Sequence, residues 1–126
     1  MNLTGLIYLF LDLMSNIYLY TNDIELGTKL TDRLLHLDHS IKFLDSLATL
    51  ADENSLVLVD LDALEATPDV IQRLKLKYPD IRLIGFMTQI HKQLWDDYRK
   101  SGCEMVYLRS ALLNNPDSIL LEDDRK

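Results

Sequence analysis

Apolar and polar residues follow two rhythms along this chain. Ile17-Tyr18-Leu19-Tyr20-Thr21 is rich in β-branched and aromatic residues and predicts a strand. Asn22-Asp23 interrupts it, and Leu26, Leu30, Leu34 and Leu37 then recur at four-, four- and three-residue spacing, one face of an amphipathic helix. Ile41 and Phe43 centre a short strand over Ser40–Leu44, and Leu47 and Leu50 predict a helical turn or two within Ser46–Asp52. The run Leu56-Val57-Leu58-Val59 is apolar without alternation and stops on Asp60, as a strand buried on both faces does. Thr67-Pro68-Asp69 is a strong helix start, with Thr as N-cap, Pro at the first position and an acid at the positive end of the dipole. Val70, Ile71, Leu74 and Tyr78 supply the buried face of that helix, and Pro79 stops it. Ile81–Met87 is the next strand. Ile90, Leu94, Trp95 and Tyr98 mark a helix with Arg99 and Lys100 in its last turn and Gly102 as its C-terminal stop. Met105–Leu108 is a fifth strand, and Asn115-Pro116-Asp117 starts a last short helix.

Strands alternating with helices at this spacing imply right-handed crossovers and a parallel sheet covered on both faces. Five such units predict an α/β, flavodoxin-like three-layer sandwich with a five-stranded parallel sheet in the order 2-1-3-4-5. In such a sheet ligands bind at the carboxyl ends of the strands, which is where Asp60 falls. The domain is expected over residues 14–121. Residues 1–13 form an appended apolar N-terminal arm, and residues 122–126 an acidic tail that should fray.

The arm carries Leu6-Ile7-Tyr8-Leu9-Phe10-Leu11, which is too short to span a membrane and lacks the flanks of a signal peptide. Six exposed apolar residues in a row would be sticky, so the arm is expected to pack on the body or on a second copy, giving a homodimer. A net charge of −7 argues against autonomous nucleic-acid binding, which needs clustered Lys and Arg. The same balance is compatible with a site that holds a cation. The lone Cys103 excludes an internal disulfide and a multi-cysteine metal site, and the simplest compartment is the reducing cytoplasm.

Four glycines and no Gly-rich fingerprint leave no phosphate cradle of the dinucleotide or Walker kind. After the first strand, Asp23 and Glu25 would repel a flavin phosphate. The chemistry-bearing groups are those at strand ends: Asn22 and Asp23, Asp60 and Asp62, Thr88, and Arg109 with Ser110.

This cast resembles the receiver (CheY-like) domain of two-component response regulators over nearly all of residues 17–121. In that family an acidic pair follows the first strand, a phosphoacceptor aspartate ends the third, a Ser or Thr ends the fourth and Lys-Pro ends the fifth. Carboxylates hold Mg²⁺, and the cation neutralises the phosphoryl oxygens. The resemblance puts Asp60 at the phosphoacceptor. With Asn22-Asp23 as the acidic pair, the first-helix leucines Leu30, Leu34 and Leu35 align; with Thr21-Asn22 that agreement is lost. In the first register Asn22 replaces one acid. A weakened Mg²⁺ site would then comprise Asp23, Asp60 and, through its backbone carbonyl, Asp62. Thr88 is the switch hydroxyl if the following loop is one residue short; otherwise Met87 takes that place. Ser101-Gly102-Cys103-Glu104 resembles the Ala-Gly-Ala-Asp run before the fifth strand and aligns the Lys-Pro pair with Arg109-Ser110.

The departures from the pattern are chemical. Arg109 has a planar fork in place of a compact ammonium, and Ser110 lacks the bias of an X-Pro bond toward cis. The turn after Asp60 reads Leu61-Asp62-Ala63-Leu64-Glu65. The aromatic switch position holds Val106, with Tyr107 one residue on and facing the other way. With Ile84-Gly85-Phe86, these motifs are similar to small stand-alone receiver-like proteins.

Three readings follow. The first is a stand-alone pseudo-receiver in signal transduction, working by protein–protein contact without phosphorylation. The face that the resemblance implies carries Trp95, Tyr98, Tyr107 and Leu112, with Thr88, Tyr107 and Arg109 as switch candidates. The second is a working single-domain response regulator phosphorylated on Asp60 with Mg²⁺ by a kinase. The third, a small metal-using enzyme, finds no nucleophile–base pair among the residues, so a non-enzymatic role is expected. The bland alternatives are a solvated strand-end acid at Asp60, a helix-start acid at Asp23, an exposed ion-pair residue at Arg109 and a small core hydrophobe at Cys103. His36, His39 and His91 lack the spacing for a shared metal.

Overall fold

The computed structural model describes residues 16–36 and 40–116. The N-terminal arm, Leu37, His39 and everything after Pro116, the tail included, lie outside the described residues. Five parallel strands form one sheet: β1 (Ile17–Tyr20), β2 (Ile41–Phe43), β3 (Leu56–Asp60), β4 (Arg82–Met87) and β5 (Cys103–Leu108). Their order is β2-β1-β3-β4-β5, the flavodoxin-like order expected from the alternation. Helices α1 (Ile24–Leu35), α2 (Pro68–Lys77), α3 (Lys92–Ser101) and α4 (Arg109–Asn114) cover it, with a single 3-10 turn at Leu47–Thr49 between β2 and β3.

β3 lies at the centre, and all five of its residues are buried. Leu56 and Leu58 point into the core shared with α1 and α4, and Val57 and Val59 into the core under α2 and α3. This is why the strand reads as an unbroken apolar run. Leu26, Leu30 and Leu34 of α1 pack on Ile17, Leu19 and Phe86, whereas Leu35 turns to solvent. Thr67 caps α2 as its sequence predicts, its hydroxyl accepting from Val70 N at 3.2 Å. Gly102 ends α3 at φ +133°, a conformation that L side chains rarely adopt.

One element was not expected from the sequence. The last described helix begins directly at Arg109 and ends at Asn114, and the helix expected to start at Asn115-Pro116-Asp117 lies outside the described residues. Leu112 fixes it, buried against the sheet. In β5, Val106 packs into one core and Tyr107 against the other, as expected. The register shift opposite Leu83/Ile84 puts Cys103 and Val106, three residues apart, on the same side.

Candidate functional site

The site forms where β1, β3, β4 and β5 end together. The β3–β4 register pairs Asp60 with Phe86, and Leu61 N–H donates to Phe86 O at 2.9 Å, so the chain turns as soon as it leaves the sheet. Gly85 makes room for that turn: a Cβ there would lie 2.5 Å from Leu61 Cδ1. Asp60 is therefore both buried, at 3% exposure, and directed at the strand-end rim. Its Oδ1 accepts from Asp62 N at 3.0 Å. Its Oδ2 accepts from Thr21 Oγ1 at 2.7 Å and from Arg109 Nη2 at 3.2 Å.

Asp23 is the N-cap of α1, its Oδ1 accepting from Leu26 N at 3.0 Å, while its Oδ2 accepts from Arg109 Nη1 at 2.9 Å. The Leu26 N–H holds the Asp23 carboxyl below its usual range; burial opposes this, and the Arg109 guanidinium adds to the lowering. Asp62 Oδ2 takes both the N–H and the hydroxyl of Thr88, at 2.9 and 2.7 Å, and lies 3.8 Å from Arg109 Nη2. One guanidinium thus stands among all three acids.

Arg109 is the first residue of α4, where a positive charge opposes the helix dipole. The helix does not favour it there; the carboxylates do. Its Nε is buried with no hydrogen-bond partner, so the fork is spent on Asp23 and Asp60. Beside it, Asn22, Asp23, Ile24, Asp60, Asp62, Ala63 and Leu64 line an open cavity of about 570 Å³.

The expected site residues sort clearly. Asp23, Asp60, Asp62, Thr88 and Arg109 come together. Asn22 is exposed at the cavity wall, and Met87 is buried in the core, leaving Thr88 as the hydroxyl at the end of β4. Thr21 matters more than its sequence position suggested: it bonds to Asp60 and accepts from Asp23 N at 3.0 Å.

The expected contact face needs correction at two positions. Tyr98 is 5% exposed and donates to Ala66 O, and Leu112 is 1% exposed inside the sheet–helix core. Both serve the protein's own packing, since each lies on the helix stripe that faces the sheet. Trp95 stays half-buried, its Nε1 donating to Val106 O at 3.2 Å with Arg99 over the ring. Tyr107 is half-buried against the α1 side.

Asp23, Asp60 and Asp62 all face the Arg109 guanidinium. Among the described residues no three His, Cys, Asp or Glu side chains converge on a common point. The positive charge between them comes from Arg109. His36 and His91 are exposed at the ends of α1 and α3. Among the described residues no helix is long and apolar enough to cross a membrane.

The topology is a receiver-type, CheY-like α/β fold. No protein-family model and no curated protein matches the chain. Solved structures do. A response regulator from Thermotoga maritima superposes with a TM-score of 0.62 at 17% identity, covering 83% of this chain and 97% of that one. A response regulator protein from Burkholderia pseudomallei, solved with a phosphorylated aspartic acid, a calcium ion and citrate, gives 0.69 at 13%, covering 86% and 69%. An orphan response regulator of H. pylori gives 0.66 at 15%, covering 85% and 98%. At these identities the likeness is one of fold.

Proposed function

We propose that this chain is a receiver-fold signalling module that acts by protein–protein contact, in the cytoplasm and without enzymatic turnover, and that Asp60 does not need phosphorylation for it. The observation that carries this reading is the Arg109 guanidinium held by Asp23 and Asp60 at 2.9 and 3.2 Å. Phosphoryl transfer to a carboxylate needs a free oxygen and a cation that neutralises the incoming group. Here Asp60 Oδ2 already accepts two hydrogen bonds, Oδ1 accepts a third, and the local positive charge is tethered. A fixed arginine satisfies the acids permanently, whereas a metal comes and goes. The contact face in this reading is the α3–β5 edge, with Trp95 and Tyr107 flanked by the exposed Leu94 and Leu108.

The test combines two measurements. Intact-protein mass spectrometry after incubation with acetyl phosphate and Mg²⁺ should show no added phosphoryl group. Partners co-purified from the cells of origin should persist with Asp60→Ala and be lost with Trp95→Ala combined with Tyr107→Ala. A phosphoryl group on Asp60 in the wild-type protein would establish the alternative, a phosphorylated single-domain response regulator. Co-purification that ignores the Trp95/Tyr107 pair would remove the proposed face.

A further inference from the structure

On one side the sheet ends at β2, a strand of three residues that pairs only with β1 among the described residues. Helix α1 covers the sheet with Leu26, Leu30 and Leu34, one stripe of its surface. The next stripe, Thr28, Thr31, Asp32 and Leu35 at i, i+3, i+4 and i+7, lines an open cavity of about 300 Å³ together with Phe43 of β2. The Phe43 ring rests against α1 beside Gly27. Even so, Phe43 and Leu35 are 56% and 53% exposed, and both stand outside the two hydrophobic cores.

The chain enters β1 at the same corner. The register pairs Ile17 with Ile41, so β1 and β2 start side by side, and α1 ends at Leu35, shortly before β2 begins. Asn16 fixes the point of entry. Its carbonyl accepts from Leu56 N at 2.9 Å, its side-chain amide donates to Asp52, and Lys42 Nζ donates to its Oδ1 at 3.3 Å.

Only Asp12–Ser15 separate Asn16 from the apolar run Leu6–Leu11. Fully extended, that connector spans about 14 Å. Neighbouring strands lie about 5 Å apart, so the free side of β2, two spacings from β1, is about 10 Å away and within easy reach. The Trp95/Tyr107 edge lies three strands away in the other direction, at the limit of a taut connector. Ile24 and Leu64, the most exposed apolar side chains, stand at the carboxyl ends of the strands, around the acid cavity. A run of apolar residues needs cover in water, and the Leu35/Phe43 corner is the exposed apolar surface nearest its tether.

We propose that the chain's own N-terminal arm seats on this corner, with Leu6–Leu11 covering Leu35 and Phe43 and closing the free side of β2. A short tether presents the run to the patch at an effective concentration in the millimolar range, which favours the arm over a second copy. An edge strand offers unpaired backbone groups to other chains, and the seated arm shields them. The seat is separate from Asp60 and from the Trp95/Tyr107 edge, so it does not depend on how the chain signals.

The test is backbone-amide NMR on the full chain and two variants of it. Ile7→Glu with Phe10→Glu should release the arm, shifting amides of residues 28–35 and 41–43 and leaving those of residues 94–95 and 107–108 in place. Leu35→Lys with Phe43→Lys should release it from the other side. Both of those residues are more than half exposed, so the fold is kept, checked by circular dichroism. In either variant the amides of residues 6–11 should exchange with solvent at least about tenfold faster than in wild type. The wild-type protection should survive about tenfold dilution, as an intramolecular contact does. Corner amides that ignore the arm variant, arm exchange that ignores the corner variant, or protection lost on dilution, the sign of a second copy, would each overturn the proposal.

Discussion

Replacing Arg109 with alanine removes the cation that Asp23 and Asp60 share. The larger loss is at Asp60, which is so buried that water cannot simply replace the guanidinium. A hydrogen bond to a charged group contributes about 1.5–3 kcal/mol, and the 3.2 Å contact to Nη2 belongs near the low end. Thr21 Oγ1 and Asp62 N stay on the carboxylate and limit the damage. Removing the buried, unpartnered Nε returns part of the loss, on the order of 0.5 kcal/mol, a fraction of a full desolvation penalty. The Asp23 contact is at the screened rim and adds little. Arg109→Ala should therefore unfold in urea with a stability lower by about 1–2 kcal/mol. The second half of the prediction is sharper. Without the tethered cation the acids repel one another, and Mg²⁺ should stabilise the variant, by about 1.4 kcal/mol at ten times its Kd. The wild-type midpoint should not move with Mg²⁺. A variant as stable as wild type, or a wild-type protein stabilised by Mg²⁺ as much as the variant, would refute the reasoning.

The remaining predictions concern charge, burial and backbone. Asp23 has a folded-state pKa below its ordinary 3.8, so it contributes stability above that value that is lost as the pH falls through the depressed folded pKa. Acid titration by circular dichroism should show a shallower low-pH loss for Asp23→Asn than for wild type, and parallel curves would contradict the assignment. Burial pushes the Cys103 thiol up to about 12, so it should ignore a colorimetric thiol reagent at neutral pH until the protein is denatured; fast labelling of the native protein would contradict its place in the core. Gly102→Ala should cost about 1–3 kcal/mol in thermal or urea denaturation. The residue sits at φ +133°, and a Cβ would meet Lys75 Cβ and Cγ at 2.9 Å. A neutral substitution would mean that the end of α3 is differently built.

Much of the fold was legible because its signals are local. The apolar run of β3 declares burial on both faces, Thr67-Pro68-Asp69 declares the start of α2, and Gly102 declares the end of α3. The start of α4 was not legible, because its first residue is an arginine that opposes the dipole and its reason for being helical is Leu112 reaching a distant sheet face. Tyr98 and Leu112 show a related limit: an apolar residue on a helix stripe faces either its own core or a partner, and sequence does not separate the two. At the site, Asp60 was legible as the acid that ends a buried strand. The pairing of Arg109 with Asp23, 86 residues away, was not, since it depends on the strand order that brings the ends of β1 and β5 to either side of β3. Thr21 was visible only as an alternative member of the acidic pair; its hydroxyl between Asp60 and the Asp23 amide is a tertiary fact.

The central claim is that the acid pocket already holds its cation in Arg109 and so works without metal or phosphoryl group. A backbone-amide NMR titration of the wild-type protein with Mg²⁺, followed by beryllofluoride as a phosphoryl mimic, tests it most directly. The account predicts no site-specific shifts at Asp23, Asp60, Asp62 or Thr88 at millimolar Mg²⁺, and none on adding beryllofluoride. Shifts at those residues that require both additions would contradict it and make this a phosphorylatable receiver.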